Sequence, residues 1–397
     1  MIFMKSKLFH HNALLHNARL IAPALVLVPA LTIMLSNAAF ADPVTPSPSS
    51  EARKAAPTSS RILPTNREIL PRLLAARGYT APETFKAIII EIVPGPDGTP
   101  RYYPMDFAGT SKVRDDWWPA STVKLYSAVA ALERMRIMGF DPTKAEVTFD
   151  YEDGPFTQSF EEILRRAITD SKNPEFDRLT DIVGARRLNR YFLTEKHGIR
   201  DTVMLRCYSG RTMNPETGHC SNRVSPSLRI TQGTKETALP VRTYTDTPKC
   251  ENEGNCTTLE DLTEVMRRVM MHETLPKSER FRLGDKELAL LRSALKGTHA
   301  RGGVADGLRF AFKERPIEIF HKAGYADHWF SDNVFLKIGD TNEQWIIGMA
   351  DRPGREALDE VSRIVATLIA DGTLSAARKA AFDTAPPNKA SLLEQSK

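Results

Sequence analysis

The chain has 397 residues, 41% hydrophobic and 26% charged, an ordinary globular composition with room for one large domain or two lobes. Its formal net charge is +5. Loss of the first 41 residues would remove Lys5, Lys7 and Arg19 and no acid, leaving +2, so the charge gives no case for nucleic-acid binding.

The chain opens as a secretory signal over residues 1–41. A basic, acid-free start precedes an apolar run from Leu20 to Leu35, and SNAAFA ends in the A-x-A pattern of Ala39 and Ala41. The run is short for a membrane span and is broken by Pro23 and Pro29, so the expectation is a secreted or periplasmic protein without a stable membrane anchor. Residues 42–66 begin with DPVTPSPSSEARKAAPTSS and read as a disordered linker. The working domain is expected at 67–383, followed by a disordered tail at 384–397.

Within that domain, TFKAIIIEI over 84–92 is β-branched and apolar. PGPDG supplies turn chemistry, and RYYPMDF returns as a second strand. From 121 to 296 the spacing predicts mostly helices, at 121–137, 159–169, 175–183, 185–195, 258–272 and 285–296. Strands are expected again at 308–312, 316–322, 329–338 and 343–350, then a helix over 355–370. The economical assembly is an α+β sandwich. One antiparallel sheet is built from both chain ends and flanked by helices, with a helical lobe inserted.

The stretch 201–256 has little periodicity, many turn residues and all four cysteines, Cys207, Cys220, Cys250 and Cys256. In an exported protein an even count points to disulfides. Three connectivities are open, and pairing by proximity, 207–220 and 250–256, is the expectation. The spacings do not fit a zinc site, and no metal is expected.

Two S-x-x-K triplets occur. Ser293 and Lys296 lie near a helix end before Gly297 and read as a solvated face. Ser121 and Lys124, in WWPASTVKLYSAVAAL, open a helix instead. A helix start favours developing negative charge, and positions i and i+3 share a face. A lysine buried there beside other cations loses pKa and can take a proton from the serine. Downstream come Ser171-Lys172-Asn173 and, on an expected strand, Lys322-Ala323-Gly324.

With these three motifs in this order, residues 70–385 resemble the class A β-lactamase and penicillin-binding protein superfamily, which carries S-x-x-K, S-x-N and K-T-G. The resemblance implies a β-lactamase/transpeptidase-like fold and a reaction needing neither cofactor nor metal. It implies Ser121 as nucleophile, Lys124 as the base for acylation and Ser171 as the proton relay to the leaving nitrogen. It further implies that Asn173 binds the substrate's side-chain amide and that Lys322, Ala323 and Gly324 line the site. The backbone N–H groups of Ser121 and Tyr325 would form the oxyanion hole. Arg301, in THARGG, is a candidate for the substrate carboxylate.

The departures from the family are specific. Lys172 replaces an Asp, and Ala323 replaces a Thr whose hydroxyl helps hold a carboxylate. The omega-like stretch 201–256 lacks E-x-x-L-N, whose Glu positions the deacylating water; Glu216 has the wrong spacing. Ser331-Asp332-Asn333 spells the family's middle motif literally, but it follows Lys322 and reads as strand. His321 and His328 flank the third motif, but no G-x-S-x-G elbow accompanies them. The expected protein is a monomeric, exported serine hydrolase acting on a small β-lactam or a cell-wall peptide. A D-alanyl-D-alanine carboxypeptidase and a non-catalytic envelope binding protein of the same fold are the alternatives.

Overall fold

The computed structural model describes residues 61–210, 219–246, 250, 254–298, 302–352 and 355–383. All belong to one unit, Ala55–Lys397. The signal-like segment, residues 42–60 of the linker and the tail lie outside the described residues, as do Glu216 and Arg301.

Strand β1 (Arg61–Ile62) falls inside the stretch assigned to the linker. It is ordered because it runs parallel to the strand holding Arg101 and Tyr102. Asn66 then caps helix α1 (Ile69–Ala76), its side-chain oxygen accepting from the Glu68 and Ile69 N–H groups. The expected hairpin follows as β2 (Lys86–Pro94) and β3 (Pro100–Asp106). The unbroken apolar run of β2 has a tertiary cause. Ile88, Ile90 and Ile92 enter one core while Ala87 and Ile89 enter a second core on the other face of the sheet.

Helix α2 (Lys124–Ile137) is entered through a 3-10 turn, Ala120–Val123. Leu125, Val129, Leu132 and Met135 are all fully buried. Two strands that the helical reading of 121–296 misses come next, β4 (Glu146–Tyr151) and β5 (Gly154–Ser159). Helices α3 (Phe160–Ile168), α4 (Asn173–Val183) and the short α5 (Ala185–Arg187) follow, the last running into a π turn at Leu188–Phe192.

The described residues of the cysteine-rich stretch include the short strands β6 (Val203–Met204), β7 (Val224–Ser225), β8 (Leu228–Gln232), β9 (Lys235–Leu239), β10 (Arg242–Thr243) and β11 (Asn255–Cys256). Strand β8 pairs with β4, so a four-stranded sheet ordered β5-β4-β8-β9 sits in the lobe expected to be helical. Its register sets Glu146 opposite Thr231, a pairing too distant in sequence for local periodicity to register. Disulfides join Cys207 to Cys220 and Cys250 to Cys256.

Helices α6 (Leu259–Met270), α7 (Asp285–Lys296) and α8 (Gly303–Ala311) precede the final strands. Helix α8 corrects the strand expected at 308–312. Val304, Leu308 and Phe312, at helical spacing, are all buried in the second core. The glycines at 302, 303 and 307 obscure that period. The chain then forms β12 (Ile317–Ala326), β13 (Trp329–Ile338) and β14 (Gln344–Asp351), and helices α9 (Arg355–Ala370) and α10 (Thr373–Asp383) close the fold. The main sheet is ordered β1-β3-β2-β14-β13-β12 and is antiparallel except at β1, so both chain ends build it as expected. Among the described residues no helix is long and apolar enough to cross a membrane.

Candidate active site

Pro119 turns the chain into the 3-10 segment that carries Ser121, and Ala120 takes a positive φ of 49°. That conformation costs an alanine roughly 1 kcal/mol and needs outside support. Three hydroxyls supply it. Thr122 Oγ1 donates to the Pro119 carbonyl at 2.6 Å, Ser331 Oγ donates to the same carbonyl at 3.2 Å, and the Tyr208 hydroxyl donates to the Ala120 carbonyl at 2.8 Å. They come from the turn itself, from β13 and from the segment next to Cys207.

Lys124, the first residue of α2, is fully buried. Its side-chain nitrogen donates to the Ser171 carbonyl at 2.5 Å and to Asn173 Oδ1 at 2.8 Å. The Phe176 and Tyr208 rings each lie 5.9 Å from its Nζ. Burial, and then the charge of Lys322, pull its pKa down to about 6, against the opposing pull of Asp177 and Glu175.

Ser171 occupies the left-handed region at φ 54°, and α4 begins two residues later at Asn173. Lys172 is exposed, so the basic residue in the middle of this motif projects outward. Lys322, on β12, is fully buried and donates to Ser171 Oγ at 2.8 Å and to the Ala323 carbonyl at 2.9 Å. Burial lowers its pKa to about 7, partly offset by Asp332. Gly324 is required by close approach. A Cβ there would stand 2.6 Å from the Pro119 carbonyl oxygen and 2.7 Å from the Ser121 nitrogen. Tyr325 follows at the mouth, 60% exposed.

The structure therefore brings Ser121, Ser171, Lys322, Ala323, Gly324 and Tyr325 onto one cavity of about 350 Å³; buried Lys124 joins it through the Ser171 carbonyl and also holds the exposed Asn173. The second S-x-x-K copy is elsewhere: Ser293 and Lys296 are both exposed, and Lys296 pairs with Glu318 at 2.6 Å. Ser331-Asp332-Asn333 lies within β13, with Asp332 held against His321 Nδ1 at 3.1 Å and Asn333 donating to the Leu262 carbonyl.

Sequence reasoning misses four contributors. Ser331, read only as strand, braces the turn that carries Ser121. Tyr208 does so from beside a cysteine. Buried Asp177 holds Tyr208 in place by accepting from the Tyr208 and Ser209 N–H groups at 2.9 and 2.7 Å. Arg355, at the start of α9, lines the cavity with no local signal to announce it. Asp177, Cys207 and Cys220 lie close enough together to share a metal, but both sulfurs are spent in a disulfide and neither is a thiolate ligand.

Known proteins resemble this chain at the level of family and fold. Residues 113–371 match the family model described as the beta-lactamase enzyme family. No curated protein matches. Among solved structures, PBP-A is 16% identical with a TM-score of 0.50, covering 78% of this chain and 99% of its own. A β-lactamase from Sphaerobacter thermophilus is 15% identical with a TM-score of 0.48 over 80% of this chain and 98% of its own. A class A β-lactamase from Bacteroides cellulosilyticus is 14% identical with a TM-score of 0.47 over 76% and 97%. With its three motifs gathered around one cavity and more than half of its length matched by the family model, the chain belongs to the β-lactamase enzyme family.

Proposed function

We propose that this chain is an exported serine hydrolase that opens a β-lactam-type or related cell-wall amide through an acyl-Ser121 intermediate. The observation that carries the reading is Lys124, which begins the helix just after Ser121, is fully buried, and has its pKa drawn down to about 6. A lysine so placed is mostly neutral at pH 7 and can act as a base.

In the proposed acylation, Ser121 Oγ gives its proton to Lys124 and bonds the carbonyl carbon. The carbonyl π electrons move to oxygen, where the N–H groups of Ser121 and Tyr325 receive the charge. Collapse reforms the carbonyl and breaks the C–N bond. Ser171 passes its hydroxyl proton to the departing nitrogen and takes in its place the proton that Lys124 received from Ser121, so that Lys124 ends neutral and the Lys322 ammonium, which donates to the Ser171 oxygen, keeps its charge. Asn173 holds the substrate's side-chain amide. Water then attacks the ester and returns Ser121. The two disulfides support export, since such bonds persist in oxidising compartments.

A second reading, a D-alanyl-D-alanine peptidase, is favoured by one feature. Among the described residues lining the cavity, Asp170 is the single carboxylate, and it sits 3.5 Å from Arg165 rather than free to activate water. Loss of a general base typically costs about 10²–10⁴ in rate. Deacylation of ordinary penicillins is therefore expected to be slow. Time-resolved intact-mass spectrometry with benzylpenicillin tests the whole reading. The expected result is a long-lived adduct on the wild type and none on Ser121→Ala. Equal labelling of both, or labelling lost only in Ser293→Ala, would defeat it.

A further inference from the structure

At the end of the helical lobe away from Ser121, three arginines gather where two helices stop. Helices α2 and α4 run in the same general direction, since Lys124 Nζ donates to Asn173 Oδ1 at 2.8 Å and the Ser127 and Thr180 hydroxyls lie 3.0 Å apart. Their last residues, Ile137 and Val183, therefore lie toward the same end. Arg242 of β10 reaches that end, donating Nη1 to the Ile182 carbonyl at 3.1 Å and Nη2 to the Asp181 carbonyl. A Cβ on Gly184 would stand 3.3 Å from the same Nη1. Arg134, in the last turn of α2, and Arg187, at the end of α5, complete the group. Arg134 lies about 15 Å along α2 from Lys124, at 1.5 Å per residue, clear of the reaction site.

Among the described residues the guanidiniums of Arg134 and Arg187 have no hydrogen-bond, ion-pair or ring partner. The Nε groups of Arg134 and Arg242 are buried and donate to nothing there. Burial, and then the charge of Arg187, pull the Arg134 pKa down. Burial lowers Arg242 as well, with Asp181 opposing and the charge of Arg134 adding to the fall. All three stay protonated, because a guanidinium keeps its charge in proteins. One ordinary use of such arginines is to serve the carbonyl ends of helices. Arg242 does so, but Arg134 and Arg187 donate to no carbonyl. Like charges gathered and partly withdrawn from water cost stability unless an anion joins them. A carboxylate presents one edge to one fork of N–H donors. A phosphate presents several edges and up to about two negative charges, which suits two or three guanidiniums together.

We propose that Arg134, Arg187 and Arg242 form a phosphate-binding site at the shared C-terminal end of α2 and α4, separate from the Ser121 cavity. The ligand class is a phosphate-bearing molecule gripped by the two open guanidinium forks, with Arg242 fixed to the helix ends as the floor. The phosphate of a free ester and that of a lipid headgroup share this chemistry. The site does not depend on the acyl-Ser121 reading. It gives the helical lobe a reaction centre at one end and an anion anchor at the other.

Pyrophosphate is titrated by calorimetry, at constant ionic strength set with sodium chloride, into the wild type, Arg134→Gln, Arg187→Gln and Arg187→Lys. The expected result is saturable binding to the wild type, weakened about 10- to 100-fold by either neutral substitution, as for loss of a charge-assisted hydrogen bond. Arg187→Lys should keep part of the affinity. Thermal melts give a second readout. At 100 times its wild-type Kd, pyrophosphate should raise the wild-type melting temperature by about 2 °C or more, and those of the two neutral variants by about half as much or less. Without ligand, the neutral variants should melt at or above the wild type, because each relieves repulsion; arginines that merely held the helix ends would give a fall instead. Glycerol phosphate and vesicles of phosphatidylglycerol, with phosphatidylcholine vesicles as the zwitterionic control, tell whether the phosphate comes from a free ester or a lipid headgroup. Dependence on Arg134 and Arg187 with either source supports the proposal. Absence of saturable pyrophosphate binding, equal affinity in the wild type and both neutral variants, or neutral variants that melt well below the wild type without ligand overturns it.

Discussion

The Lys322 ammonium donates to the Ser171 hydroxyl at 2.8 Å across 151 residues of sequence. That contact ties strand β12 to the loop before α4. Because Ser171 also offers its carbonyl to Lys124, a single serine joins two buried lysines whose charges oppose one another. Burial holds both lysines far below the usual lysine range, with the charge of Lys322 adding to the effect on Lys124, so the site's behaviour with pH reads its geometry.

Acylation by benzylpenicillin is expected to follow a bell with its top between about pH 6 and pH 7. Lys124 must be neutral to accept a proton, so the rate rises as pH climbs through about 6. Lys322 must keep its proton to hold Ser171 as donor and to favour an anion, so the rate falls as pH passes about 7. Stopped-flow acylation rates on both sides of neutrality check this, and a single rise continuing to about pH 10, where an ordinary lysine titrates, would contradict it.

Ser171→Gly separates the backbone of the middle motif from its hydroxyl. At φ 54° the serine carries a left-handed strain of roughly 1 kcal/mol that glycine does not, offset by glycine's greater freedom in the unfolded chain. The melting temperature should stay within about 2 °C of wild type. Acylation should fall about 10²-fold or more through loss of the proton relay. A variant with near-normal acylation would remove Ser171 from the mechanism.

Gly324→Ala places a methyl against three backbone atoms, at 2.6 Å from Pro119 O, 2.7 Å from Ser121 N and 2.9 Å from Thr122 N. No side chain there can rotate away, so β12 and the turn that carries Ser121 must part. A loss of about 1–3 kcal/mol in stability is expected. Acylation should drop by at least about 10², since a misplacement near 1 Å costs that much. Denaturant melts and acylation rates measure the two effects; a stable, fully active variant would show that the strand and the turn are not held as described.

Asp177→Asn probes the support behind Lys124. The carboxylate accepts from the Tyr208 and Ser209 N–H groups, and its charge raises the Lys124 pKa. Removing the charge lowers that pKa further, so the rising limb of the acylation profile should move to more acidic pH. Weakening the buried hydrogen bonds should cost about 1–3 kcal/mol. A limb that moves upward, or stays still while stability falls, would show that Asp177 acts only as a fold anchor.

Much of this site is legible in residue type and spacing. The three motifs are chemically distinctive and occur in order, and the helix after Ser121 declares itself through Leu125, Val129, Leu132 and Met135. The strands at both ends of the domain point to a shared sheet, and the cysteines pair with their sequence neighbours. These are properties of residue chemistry and of repeat within one element, which short stretches of chain carry in full.

What escapes such a reading is set by partners far along the chain. Residues 308–312, LRFAF, alternate like a strand, yet Leu308 and Phe312 lie on one face of α8 and its extension because β13 and α9 supply the surface they bury against. Strand β4 needs β8, far later in the chain, to complete its sheet. Ser331, Tyr208 and Arg355 carry no local mark of a role and acquire one only where packing sets them beside Pro119, Ala120 and Phe330. Residue chemistry and local period are enough to name the groups that can react and the helix that presents Ser121. Which groups meet is a matter of packing, because a hydrogen bond or an ion pair depends on ångström-scale distances between segments whose separation in the chain says nothing about their separation in space.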